Sequence, residues 1–132
     1  MTHVFYSYLD KCAPMAYIRN NKGHRVLMLI VETSIFTRQV QRLLTDDEYR
    51  QLQVALVERP DLGAIIVGSG GIRKARWAAR GHGKSGGVRV IYYWATAQGQ
   101  LLMLLIYAKG EQDDLSPSQL RILRKIVEED YP

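Results

Sequence analysis

The sequence predicts an α+β domain, a small antiparallel β-sheet packed with helices in the order β-α-α-β-β-β-α. Three observations carry this reading. An apolar run, RVLMLIVE at 25–32, precedes two stretches of helical spacing; the pattern switches to alternation after Gly63; and a capped amphipathic segment follows the last apolar strand. On this reading no pair of central strands is parallel.

Taken in order, residues 1–24 have mixed composition and no clear period, and are read as an N-terminal extension, either an upstream translational start or a loosely ordered segment. The domain proper is set at 25–132. RVLMLIVE is its first, buried strand. In TSIFTRQVQRLL the residues Phe36, Val40, Leu43 and Leu44 recur at helical spacing and form one apolar stripe. Thr45-Asp46-Asp47-Glu48 then matches a capping box, and Tyr49, Leu52 and Leu56 continue a second helix as far as Pro60.

From Ile72 to Arg80 residues alternate, with Ala75, Trp77 and Ala79 on one side and Lys74, Arg76 and Arg80 on the other. Gly81 to Gly87 read as a flexible hairpin connection. Val88 to Trp94 is β-branched and aromatic, and Thr96-Ala97-Gln98-Gly99 supplies a turn before QLLMLLIY. That last strand is apolar on both faces, so it is central or covered by helices. Ser116-Pro117-Ser118-Gln119 starts the final helix with a capping serine, a proline at the first helical position and a glutamine at the third.

The chain has 132 residues, enough for one compact domain, which at this size buries roughly two thirds of its unfolded surface. Cys12 is its only cysteine, which excludes an internal disulfide or a cysteine-based zinc site. No metal and no cofactor are expected. The apolar runs are far shorter than the ~20 residues of a membrane helix. The opening MTHVFYSYLDK does not resemble a secretory signal, so the expected compartment is the cytoplasm and no membrane partner is expected.

Charge is unevenly spread. Eighteen Lys and Arg against 13 Asp and Glu give +5, yet from Leu62 to Gly110 there is no acidic residue and seven basic ones. Such a surface favours nucleic acid, a phosphate-bearing partner or an acidic protein. Gly-Lys-Ser at 83–85 is not a nucleotide-binding loop: Ala78 stands where its first glycine belongs, and strands flank both sides. Residues two apart share a strand face, so Lys74 and Arg76 project together and Arg89 on the next strand can join them. Three cations held together repel one another unless an anion lies between them.

The apolar strand, two helices, GGIRKARW, a glycine-rich turn, GVRVIYYW, LLMLLIYAKGE and DDLSPSQL resemble the RelE superfamily of bacterial toxin–antitoxin toxins, most closely its HigB-like branch. The resemblance spans about residues 26–127, with GGIRKAR and GVRVIYY its most specific parts. It implies a RelE-like fold and a ribosome-dependent endoribonuclease that cuts messenger RNA without metal. The implied partners are a cognate antitoxin, the ribosome and mRNA.

By position, the resemblance gives catalytic roles to Lys74, Arg76 and Arg89. Arg76 and Arg89 would bind the scissile phosphate, and Lys74 would activate the nucleophile or stabilise charge, crowding by Arg73, Arg76 and Arg89 helping it to give up a proton. Arg73, Arg80, His82, Lys84 and Lys109 are assigned to RNA binding, with His82 a further candidate acid or base. The family's prototype has a tyrosine near its C-terminus in the active site. Here a helix occupies that region, and Tyr93 or Tyr107 could substitute. Asp113 and Asp114 are read as favouring the positive end of the last helix. The rival readings are a ParE-like inhibitor of gyrase, which needs no cleavage chemistry, and a basic module that binds RNA without cutting it.

Overall fold

The order of elements follows the sequence's changes of period. The computed structural model describes residues 5–6, 16–19, 25–79, 87–112 and 114–132. Its strands are β1 (Phe5–Tyr6), β2 (Ala16–Arg19), β3 (Arg25–Glu32), β4 (Ala64–Ile65), β5 (Ile72–Trp77), β6 (Val88–Ala95) and β7 (Gln100–Ala108). The helices are α1 (Ser34–Leu43), α2 (Asp46–Glu58) and α3 (Pro117–Asp130). The α+β class is as the sequence predicts, and the order from β3 to α3 is the expected one with the two-residue β4 added before β5.

Each helix starts where local chemistry supplies a partner for its free amides. Thr33 accepts from the Phe36 amide at 3.1 Å to open α1. At α2 the Thr45 hydroxyl accepts from the Glu48 amide at 3.1 Å while the Glu48 carboxylate accepts from the Thr45 amide at 2.8 Å. Ser116 and Gln119 make the same reciprocal pair at α3. Such caps are typically worth about 1 kcal/mol each.

The strand order is β1-β3-β7-β6-β5-β4, with β2 also on β3. The meander β5–β6–β7 is antiparallel, as expected from its short connections. The expectation that every central pair is antiparallel fails at one place: β3 runs parallel to β7, with Leu29 opposite Gln100 and Glu32 opposite Met103. The sheet is mixed. A tight turn forces its two strands to run in opposite directions, but β3 reaches the sheet again only through two helices, and such a crossover permits a parallel pair. In the residues expected to form a loose extension, β1 pairs with the end of β3 and β2 with its beginning.

Helices cover both faces of the sheet, making two cores. One lies under α1 and α2 and contains Phe36, Val40, Tyr49, Leu52, Leu56, Ala75, Val90 and Tyr92. The other lies under α3 and contains Val31, Ile72, Ile91, Leu102, Leu104, Tyr107, Leu123 and Val127. Strand β7 faces both, which explains its unbroken apolar sequence. Leu101, Leu102, Met103 and Leu104 are each at most 1% exposed, and burying a side chain of that size contributes about 1.5–3 kcal/mol.

Candidate functional site

The β5–β6 ladder sets the candidate site. Lys74 pairs with Ile91 and Arg76 with Arg89, so all four side chains share the α3 face of the sheet. Across β6 from β7, Tyr107 stands opposite Arg89. The sequence reading put only cations on this face of the strand; the structure divides the face. Ile72, Ile91, Leu102 and Tyr107 belong to the core beneath α3, whereas Lys74, Arg76 and Arg89 occupy the end of the face nearest the β5–β6 connection, with Tyr107 bordering them opposite Arg89.

Burial grades across this set. Arg76 is exposed, Lys74 is half-buried, and Arg89 retains only 6% of its surface. Arg89 is buried because β6 is an inner strand with β5 and β7 on either side. A charged side chain is seldom buried so far without electrostatic compensation.

A carboxylate supplies part of it. Asp114, between β7 and α3, accepts a hydrogen bond from Lys74 Nζ at 2.6 Å. That bond and the Lys74 charge hold the Asp114 carboxyl below the usual aspartate range, and the charges of Arg76 and Arg89 push it in the same direction. Three cations on two strands thus act on one anionic group. The side chain of Asp114 faces the sheet cations, and Ser116 and Gln119 serve the α3 terminus, which corrects the helix-end role read for Asp114.

The remaining candidates separate. Arg73 falls on the opposite face, beside Tyr92, where its guanidinium donates to the Gly63 carbonyl at 2.8 Å. It cannot crowd Lys74 as the sequence reading expected, because adjacent residues of a strand point to opposite faces. Lys109 is exposed just beyond β7, its amide donating to the Gly87 carbonyl at 3.3 Å. Arg80, His82, Lys84 and Asp113 lie outside the described residues, as does the connection 81–86.

Of the two tyrosines named, Tyr107 is at the cationic end. Tyr93 is at the other, opposite Ile72, with its ring 5.7 Å from that of Tyr131. Sequence reasoning missed the Lys74–Asp114 pair and the one between Arg42 and Glu111, whose Nη1 and Oε1 are 2.9 Å apart. The available signal was the position of Glu111 and Asp114 just after the acid-free stretch.

Chemically, this end of the sheet brings two guanidinium groups and an ammonium to act on one carboxylate. Planar guanidinium forks and a lysine point charge are the groups by which proteins hold phosphate. A family model described as the RelE toxin of the RelE / RelB toxin-antitoxin system matches residues 28–130, from within β3 to the end of α3. The match covers most of β3 and all of β7, the two strands of the parallel pair. Matched over residues 28–130 of its 132, the chain belongs to the RelE family of toxins of toxin–antitoxin systems.

Proposed function

We propose that this toxin is a metal-independent endoribonuclease of the cytoplasm that cuts messenger RNA on the ribosome. The observation that carries the reading is the grouping of Lys74, Arg76 and Arg89 around one carboxylate. In the reaction the 2′-hydroxyl attacks its own 3′ phosphorus and loses its proton. The bond to the 5′-oxygen breaks, that oxygen gains a proton, and the products carry a 2′,3′-cyclic phosphate and a 5′-hydroxyl. Arg76 and Arg89 hold the non-bridging oxygens as charge develops, and Lys74 adds a positive charge at the same centre.

Tyr107 lies across β6–β7 from Arg89 and is buried; in this reading it supports Arg89 from the core side. The ribosome supplies what this site lacks, a messenger strand fixed near its attack geometry. A cognate antitoxin, acidic and apolar where it meets the toxin, silences the basic face. The HigB-like branch is part of the same reading. Among the described residues no helix is long and apolar enough to cross a membrane.

Induction of the toxin in a bacterium with mapping of RNA 5′ ends tests the reading. New 5′-hydroxyl ends within translated messages, lost in Arg76→Ala, are the expected result. Growth arrest with intact messages and accumulating DNA breaks would instead support a gyrase-directed toxin, and RNA bound but uncut would support a binding module.

A further inference from the structure

Asp114 and Lys74 are unequal partners. Lys74 is anchored on β5 with 29% of its side chain exposed, whereas the Asp114 side chain is 75% exposed. The backbone of Asp114 is nevertheless held. Gln112 Nε2 donates to the Asp114 carbonyl at 2.9 Å and to Gln119 Oε1 at 3.0 Å, and Gln119 is itself fixed in the α3 capping box. On the other side Arg42 of α1 donates to both Glu111 carboxylate oxygens, at 2.9 and 3.0 Å. The chain after β7 is therefore tethered to both helical layers in a position that directs one carboxylate onto the sheet cations.

We propose that Asp114 is an internal competitor for the RNA phosphate: its carboxylate holds the ammonium of Lys74 in the free toxin and gives way when RNA binds. The proposal rests on the reading that this face binds RNA. A carboxylate and a phosphodiester are both singly charged oxyanions that accept from Lys and Arg. Asp114 is the partner that leaves, because its side chain rehydrates readily while Lys74 stays fixed to its strand. An exposed ion pair is weak, so the competitor lowers affinity for scattered nucleic acid without blocking a strand held by several contacts at once. It acts on selectivity for the positioned messenger, and takes no part in the chemical step.

Binding of a fluorescent, fully 2′-O-methylated RNA oligonucleotide, which the toxin cannot cut, tests this by anisotropy over a salt series. Asp114→Asn is expected to tighten binding roughly two- to fivefold, the range by which an exposed ion pair shifts an equilibrium. Its salt dependence should steepen by about 0.7 in log–log slope, since Lys74 then releases a counterion in place of exchanging one carboxylate for a phosphate. Gln112→Ala, which loosens the tether, should move affinity in the same direction, and on a Lys74→Ala background the Asp114→Asn gain should shrink. Unchanged or weaker binding by Asp114→Asn, while Lys74→Ala still weakens binding, overturns the competitor and leaves the RNA reading standing. Loss of cleavage in Asp114→Asn at unchanged affinity does the same, by making the carboxylate part of the chemistry. RNA affinity unaffected by alanine at Lys74, Arg76 and Arg89 overturns the RNA reading, and the competitor with it.

Discussion

Arg76 stands directly across the β5–β6 ladder from Arg89, so that two guanidinium side chains share one cross-strand position on one face of the sheet. Directly opposed like charges destabilise a strand pair, by an amount comparable to the 0.2–1 kcal/mol that favourable pairs contribute. Stability alone would not select such a pair, least of all with one member buried. An anion between the two strands reverses the sign of the interaction, and Asp114 provides a partial one. A phosphate, the ligand the proposed function requires, is an anion of the kind that favours this arrangement.

Arg76→Ala is accordingly expected to leave the melting temperature unchanged or slightly raised while reducing RNA cleavage about a hundredfold to a thousandfold, the usual cost of one lost contact to a developing oxyanion. Arg89→Ala should lower both, because Arg89 is 6% exposed and its removal leaves a void in an inner strand. A thermal melt beside a growth assay distinguishes the two. A large drop in melting temperature for Arg76→Ala would count against the account of the pair.

Gly87 makes a second prediction. Its φ of 42° lies in the left-handed region, and a Cβ placed on it would overlap the Trp77 carbonyl oxygen. Gly87→Ala must therefore move the start of β6 away from the end of β5, just where Arg76 and Arg89 are paired. We expect a loss of about 1–3 kcal/mol in stability by denaturant titration, with toxicity reduced further than the stability loss alone explains. The same substitution at Gly110, where a Cβ meets nothing within 4 Å, serves as the control.

The periodic elements were legible because their causes are local. Phe36, Val40, Tyr49, Leu52 and Leu56 are buried as their spacing predicts, and both capping boxes form from neighbouring residues. Lys74, Arg76 and Arg89 meet on one face because strand parity and antiparallel pairing require it. What failed depends on distant partners. Lys74 and Asp114 are 40 residues apart, joined only once α3 settles on the sheet. The burial of Arg89 depends on β7 being its neighbour, and the parallel β3–β7 pair depends on the path through α1 and α2. The two-residue strand β4 is too short for any period to reveal.

The exposed pairs contribute a small part of the acid limb of stability. Hydrogen bonds from Lys74 and Arg42 lower the folded pKa values of Asp114 and Glu111 respectively. A carboxyl with a lowered folded value contributes stability that is present above its unfolded pKa, about 4, and lost as pH falls through the folded value. Stability should therefore decline with pH below about 4, and Asp114→Asn with Glu111→Gln should flatten that decline. An equally steep acid limb in the double variant, followed by denaturant unfolding from pH 6 to 2, would assign it to other carboxyls.

Tyr92 governs the opposite limb. Its ring is buried under α2, and its hydroxyl donates to the Pro60 carbonyl at 2.7 Å while accepting from the Gly63 amide at 2.8 Å. One phenol thereby joins the end of the helical layer to the β5–β6 ladder. Tyr92→Phe leaves both backbone groups without that partner and should cost about 1–3 kcal/mol. Burial, the dominant influence, raises the Tyr92 pKa because it penalises the phenolate. With the folded value above the unfolded one, the contribution is complete below about pH 10 and is lost as pH rises through the folded value. Wild-type stability should thus fall from pH 9 to 11 more steeply than that of Tyr92→Phe. Tyr131, also raised by burial, contributes to the same slope, which Tyr131→Phe should reduce. Tyr92 faces away from Lys74 and Arg76, so Tyr92→Phe at a permissive temperature should still arrest growth. Loss of toxicity in a Tyr92→Phe protein that remains folded would show that the two faces of β6 are coupled.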